Sequence, residues 1–365
     1  MEIISLDDLF EFIPGVTKLP KNYKDNGKVF LINYKDVLMS SLIWEPNQMI
    51  TIYENLDYTK HITRYNDLLI TSTSEIQSEI GQISIYKSNK SALLNGFCKI
   101  MRLKLNNKLN PQYAFYLFKT DIFRKKISNC SNGITRYNIL WNLFKKISFK
   151  LVNIEYQLDI IAIIEPFEKL NNQIRKLIQK LKYIYFKIIN NFSDSIGFMK
   201  DNQILFEKGI NFHEVMLSEN EDIPFINVSA INNNINKFIK SDYMDKVNTE
   251  IGDVMLSLDG NPGLVNNFLW GINGYGYKVI SKNNNFSNYQ IYFSLLSRIN
   301  QIIIEKNATG TTIKHATKAK NKLIIFTFNK WNEILELIFF YEIKLKEILN
   351  LSNKIINKLI KLFVI

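Results

Sequence analysis

From Ile160 onward, apolar residues fall at positions 160, 163, 167, 170, 174, 177, 181, 184 and 188, in alternating steps of three and four. That is the heptad spacing of a helix-pairing seam. Pro166 lies inside the run; it lacks a backbone N–H and crowds the preceding turn. The pattern therefore predicts a break or kink at Pro166 and a continuous helix from about Phe167 to Asn190. The same alternation returns at 334, 338, 341, 345, 348, 352, 355, 359 and 362, where Ser352 is the one polar member. At 1.5 Å per residue, helices of ~25–32 residues span roughly 37–48 Å. Two of them paired along such seams would form a rigid spacer. The alternative is two ordinary amphipathic helices, each packed on its own domain.

Between the helical runs the periodicity changes. Short β-branched and aromatic runs at Val29–Tyr34, Leu68–Thr71, Gln82–Tyr86, Cys98–Leu103, Val254–Leu258 and Tyr275–Ile280 predict strands. Gly and Asn punctuate them, as in Asp259-Gly260-Asn261-Pro262-Gly263. Helical stretches are expected over Pro111–Asn129 and Asn288–Glu305. The fold class is α+β: two globules, residues 1–154 and 196–330, each followed by a long helix, residues 155–195 and 331–365.

Several short segments occur twice in the same order. Leu9-Phe10-Glu11 with Gly15 matches Leu205-Phe206-Glu207 with Gly209, and Asn66-Asp67-Leu68-Leu69 matches Gly252-Asp253-Val254-Met255. Tyr113-Ala114-Phe115-Tyr116 matches Tyr289-Gln290-Ile291-Tyr292, and Gly133-Ile134-Thr135 matches Gly310-Thr311-Thr312. Loops of unequal length between shared anchors explain why the spacing drifts.

Charge follows the same rhythm. The chain of 365 residues has a formal net charge of +12, with 40 Lys against 6 Arg. Abundant Lys, Ile and Asn read as AT-rich codon bias, which acts on the whole chain alike. The distribution is not uniform: residues 1–79 carry −5, residues 80–154 carry +13, residues 201–259 carry −7 and residues 260–331 carry +8. Each repeat thus has an acidic block followed by a basic one, which points to an anionic partner met twice.

Other classes are excluded by what is missing. Hydrophobic residues make up 46% of the chain, enough for real cores and against global disorder. Cys98 and Cys130 are too few for a disulfide framework and read as small core residues. The acidic start Met1-Glu2-Ile3-Ile4-Ser5-Leu6-Asp7-Asp8 is no signal peptide, and no apolar run approaches the ~18 residues of a membrane span. A cytoplasmic protein with no membrane association is expected. There is no P-loop, no [ND]-P-P-[FYW] methyltransferase site and no zincin motif, since His213-Glu214 lacks a second histidine. No cofactor, metal or catalytic residue is expected.

The ordered, doubled anchors resemble the specificity (S) subunit of type I restriction–modification systems. In that family each half carries a G-D-[IVL]-[LM] strand, a short I-G turn, a tyrosine-bearing helix and a G-x-T loop before a strand. A long helix with E-Q near its start closes the half. Gly252-Asp253-Val254-Met255 and Ala308-Thr309-Gly310-Thr311-Thr312-Ile313-Lys314-His315 fit this pattern well. Asn66 replaces the glycine, Asn132-Gly133-Ile134-Thr135-Arg136-Tyr137 is looser, and Glu155-Tyr156-Gln157 approximates the E-Q start. Trp331-Asn332-Glu333 departs from it.

The resemblance implies two target recognition domains, each reading half of a bipartite, asymmetric site on double-stranded DNA. It implies an antiparallel coiled coil that fixes the gap. It also implies DNA methyltransferase (modification) subunits docked on this scaffold and restriction (motor/nuclease) subunits joining them, with no catalysis by this chain. The DNA-facing candidates are Arg64, Arg102, Arg124, Arg136 and Tyr137 in the first domain and Lys314, His315, Lys318 and Lys320 in the second. A stand-alone nucleic-acid-binding adaptor and a coiled-coil bridging protein remain alternatives.

Overall fold

The computed structural model describes residues 2–17, 29–39, 42–46, 48–50, 58–104, 108–210, 212–311 and 313–364. It has two compact units, Met1–Lys169 with Asn353–Ile365, and Leu170–Ser352.

The first unit is built on β1 (Phe10–Pro14), β2 (Leu68–Thr71), β3 (Thr73–Ser74), β4 (Ile83–Tyr86), β5 (Cys98–Leu103) and β6 (Tyr137–Ile139). Its main sheet has the order β1-β5-β2-β4, with Leu42–Ile43 at the far edge. β2 alternates its side chains between two cores. Leu68 and Ile70 join one with Met101, Tyr113 and Phe115, while Leu69 joins the other with Ile100, Cys98 and Tyr86. A strand covered on both faces reads as an unbroken apolar run, as Leu68–Ile70 does.

Helices α1 (Pro111–Lys119) and α2 (Asp121–Asn129) cover the first face. Asn110 caps the Gln112 amide, Pro111 takes the first turn, and Thr120 caps Phe123. The helical stretch expected over 111–129 divides into these two helices because Thr120, at φ −64° and ψ 146°, ends one and starts the next.

α3 (Ile154–Asn191) begins in this unit and is continuous through Pro166. Of the break or kink expected there, the break does not occur. The carbonyl that Pro166 cannot serve belongs to Ala162, and both residues are on the exposed side of the helix, where a missing backbone donor costs least. Gln157 near the helix start is buried. It donates to the carbonyls of Lys108 (2.7 Å) and Val152 (2.9 Å) and accepts from the Asn110 amide (2.8 Å). Glu168 accepts from Tyr116 Oη (2.7 Å) and Gln112 Nε2 (2.9 Å), and Lys87 donates to Gln112 and to Asn66 Oδ1 (2.9 Å). Burial raises the Glu168 carboxyl above the usual carboxylate range and lowers the Lys87 ammonium.

The second unit uses β7 (Ile204–Lys208), β8 (Met255–Leu256), β9 (Asp259–Gly260), β10 (Val265–Asn266), β11 (Tyr277–Ser281) and β12 (Lys314–His315). Its main sheet runs β7-β11-β8-β10. Helices α4 (Asn288–Leu296) and α5 (Arg298–Lys306) meet at Ser297, which caps Asn300. The C-terminal part of α3 packs here through Tyr185, Ile188 and Ile189 against Leu335 and Ile338 of α6 (Asn332–Phe363). Rings of Phe192 and Trp331 lie 5.3 Å apart. α6 ends in the first unit, where Ile356, Ile360 and Val364 enter the core beside Ile160 and Ile164. There Tyr156 Oη donates to the Phe363 carbonyl (3.0 Å).

The buried row of each long helix is rotated from the predicted seam. On α3 the buried positions are Gln157, Ile160, Ile164, Glu168, Asn171, Ile174, Ile178, Tyr185, Ile188 and Ile189, of which Ile160, Ile174 and Ile188 belong to the predicted seam. Ile163, Leu170, Leu177 and Ile184, predicted to lie in the seam, are instead 40–45% exposed. On α6, Ile334, Tyr341, Ile348 and Leu362 are likewise exposed, whereas Ile338 and Ser352 are buried. Each helix therefore has a second apolar row that the described residues leave open to solvent.

Candidate nucleic-acid interface

In both units the loop strand after the helices returns to pair with the strand that leaves the main sheet. In the first unit β6 pairs antiparallel with β3, Tyr137 opposite Ser74 and Asn138 opposite Thr73. In the second, β12 pairs with β9, His315 opposite Asp259 and Lys314 opposite Gly260. The loop glycines make these returns possible. Gly133 has φ +149° and Gly310 φ +105°, and a Cβ there would lie 2.0 Å from the Arg136 carbonyl oxygen or 2.1 Å from that of Ile313. Thr312 lies outside the described residues.

The second loop brings its candidates together. Thr309 and His315 exchange backbone hydrogen bonds of 2.9 and 2.8 Å, which closes the loop. His315 Nδ1 lies 2.9 Å from Asp259 Oδ1, and Thr317 Oγ1 donates to the same oxygen at 3.3 Å. Lys314, His315 and Lys318 are exposed. Lys320 is half-buried, its ammonium 4.4 Å from the centre of the Tyr277 ring.

In the first loop Arg136 is exposed, 4.0 Å from Glu75, and borders a groove of about 780 Å³ that also has Tyr34, Asn33, Asn95 and Phe97 on its walls. Tyr137 is half-buried against the core. Arg64 is exposed, at the turn ahead of β2.

Arg102 and Arg124 are committed to the fold, and this departs from their expected place on the DNA surface. Arg102 donates through Nε to Asp67 Oδ1 (3.0 Å) and through Nη2 to Asp67 Oδ2 (2.7 Å) and the Ile62 carbonyl (2.8 Å). Arg124 donates to the carbonyls of Gly81 (2.7 Å) and Ile80 (2.6 Å), and burial lowers its pKa. The reason for the first pairing lies in the G-D motif. Asn66 at φ +68° and Gly252 at φ +101° are both left-handed, a conformation Asn tolerates better than other non-glycine residues. Each following aspartate then closes its own turn: Asp67 accepts from the Arg64 amide (2.7 Å) and Asp253 from the Glu250 amide (2.8 Å). Each pairs with a basic residue on the adjacent central strand, Asp67 with Arg102 and Asp253 with Lys278 (2.7 Å). Charge alone could not reveal this use of Arg102; the recurrence of Asp253 with Lys278 could have.

Sequence reading missed Asp259, Glu75 and the groove residues, because only the strand pairing brings them beside the loops. Among the described residues, no group of three or more His, Cys, Asp or Glu side chains converges on a metal position. No helix among them is long and apolar enough to cross a membrane.

The family model described as "Type I restriction modification DNA specificity domain" matches residues 1–183. The chain belongs to this family. Proteins of the specificity family do no catalysis, and the chain is not an enzyme. Its fold is that of a type I restriction–modification system S subunit from M. genitalium: the TM-score is 0.53 at 16% identity, covering 99% of this chain and 95% of that one. The HsdS subunit from Thermoanaerobacter tengcongensis is also similar, at 12% identity and a TM-score of 0.35, covering 100% of this chain and 95% of that one. No curated protein sequence matches the chain significantly.

Proposed function

We propose that this chain is the DNA-reading subunit of a type I restriction–modification complex, acting in the cytoplasm. Residues 1–154 and 196–330 are its recognition domains, each taking one half of a bipartite, asymmetric site. The observation that carries the reading is the loop built twice on one plan. In each unit a glycine-turned return strand pairs beside the main sheet and presents exposed basic side chains, Arg136 in one and Lys314 and Lys318 in the other. Both loops fall in the basic blocks of +13 and +8. The matching strand orders, β1-β5-β2-β4 and β7-β11-β8-β10, support an internal duplication. Lys and Arg on phosphates would supply affinity, and polar side chains beside them would read base edges.

The helices at 155–195 and 331–365 are the spacer, pairing antiparallel. Support comes from both ends of the run. Tyr156 bonds to Phe363 within the first unit, and Phe192 stacks on Trp331 within the second, so residue numbers fall along one helix as they rise along the other. The apolar rows left open, Leu170, Leu177 and Ile184 on α3 and Tyr341 and Ile348 on α6, suit helices of the methyltransferase subunits. Restriction subunits would join through those.

The test is a mobility-shift titration of the full chain on genomic fragments at several salt concentrations. Binding should weaken linearly in log–log form as salt rises. The double variant Lys314→Ala/Lys318→Ala should flatten that slope by about 2, roughly 0.9 per lost phosphate contact. Binding that ignores salt, or no binding, would sink the proposal.

A further inference from the structure

The pair at the tip of the second loop carries information beyond charge. We infer that Asp259 holds His315 in the tautomer whose outward nitrogen is a hydrogen-bond acceptor, so that His315 reads an exocyclic amino group, adenine N6 or cytosine N4. This rests on the DNA-reading role proposed above.

A carboxylate has no proton to give. With Nδ1 of His315 2.9 Å from Asp259 Oδ1, the ring nitrogen must be the donor. In the neutral ring Nε2 is then left with its lone pair outward. Turning the ring over would give up the Asp259 contact. Its residue is bonded through both backbone groups to Thr309 and stands directly opposite Asp259 in the strand pairing, while Thr317 Oγ1 anchors the carboxylate oxygen from the other side. The imidazole is exposed, so Nε2 is open to a ligand. In the major groove only adenine and cytosine offer an amino donor; guanine and thymine present acceptors there. An outward acceptor therefore favours A or C and rejects G or T. Lys314 precedes His315 and Lys318 follows three residues later, both exposed and suited to phosphates.

The experiment selects bound duplexes from a randomised pool with the full chain, then alters the selected site. Each adenine of the half-site is replaced by purine and each cytosine by 2-pyrimidinone, one at a time, which removes a single amino group. The unaltered chain should lose about three- to tenfold in affinity at one position, the worth of one neutral hydrogen bond. His315→Ala should bind weakly from the start and show no further loss at that position. Asp259→Asn, whose amide can either donate or accept, should lose the preference at that position while its salt slope stays the same. Asp259 is a positioning residue, and an Asp259→Asn chain with the original preference would strip it of that role. If no position couples to His315, or if His315→Ala flattens the salt slope by about one contact, the ring meets a phosphate and the inference fails. A pool from which nothing is enriched overturns the DNA reading itself. The analogue series on the unaltered chain needs no folded variant, so an unstable Asp259→Asn still leaves the inference open to refutation.

Discussion

Replacing Arg102 by alanine separates its structural role from a DNA-binding one. The Arg102 and Asp67 side chains are only 12% and 4% exposed, and their contact is bidentate. Without Arg102, Asp67 keeps the Arg64 amide but loses its bidentate counter-ion, and the Ile62 carbonyl loses a donor. Breaking one side of a buried pair costs about 3–5 kcal/mol, because the remaining charge is stranded out of water. For a unit of this size, about 2–4 °C of Tm per kcal/mol gives a fall of roughly 6–20 °C in its transition. Lys278→Ala in the second unit should cost less, about 1–2 kcal/mol, because its pair with Asp253 is 24% and 18% exposed. Differential scanning calorimetry of the full chain reads both. Removing both partners, Arg102→Ala/Asp67→Ala, should cost less than the sum of the single changes. A fall below about 1 kcal/mol for Arg102→Ala, or a pure loss of DNA affinity at unchanged Tm, would refute the structural assignment.

Arg136→Ala should leave stability within about 0.5 kcal/mol of the parent and weaken DNA binding, as read by calorimetry and mobility shift on one preparation. Leu170→Glu/Leu177→Glu should abolish co-purification of methyltransferase subunits and leave DNA binding intact, since both side chains are already open to water; retained co-purification would argue against docking on that row. Burial pushes the Cys98 thiol up to about 12, so neither it nor the buried Cys130 should react with a thiol reagent at about pH 8 until the chain is unfolded. Fast labelling of the native chain would contradict the packing around them. Inserting one heptad into both α3 and α6 should lengthen the gap tolerated between half-sites by about the 10 Å that seven helical residues span; an unchanged gap would remove the spacer role.

What the sequence made legible was whatever depends on local chemistry. Asn66 was readable as a substitute for Gly252 because both serve one left-handed turn, and Gly133 and Gly310 because a side chain would strike the returning backbone. The long helices were readable from their period. Their buried face was only partly so: Ile160, Ile174 and Ile188 were placed in it, but a heptad pattern marks only apolar residues. The true row on α3 contains Gln157, Glu168 and Asn171, and the first two are buried because Lys108, Val152, Tyr116 and Gln112 satisfy them. Most of those partners are distant in sequence, so the polar residues looked like surface and the leucine row looked like core. Whether Pro166 would end the helix was unreadable for a related reason: its cost depends on the surroundings of the Ala162 carbonyl, which only the fold decides. The same limit applies at the candidate site. Arg102, Arg124 and Arg136 are equivalent as letters, and only their neighbours divide two fold-holding arginines from one open to a ligand.

The central claim is that one chain reads two half-sites at a fixed separation. Genome-wide mapping of methylated adenines in host cells with and without this gene tests it most directly. Removing the gene should erase one motif, made of two short defined blocks separated by a constant number of unspecified bases. Loss of a single uninterrupted motif, or no change in the methylation map, would contradict the claim.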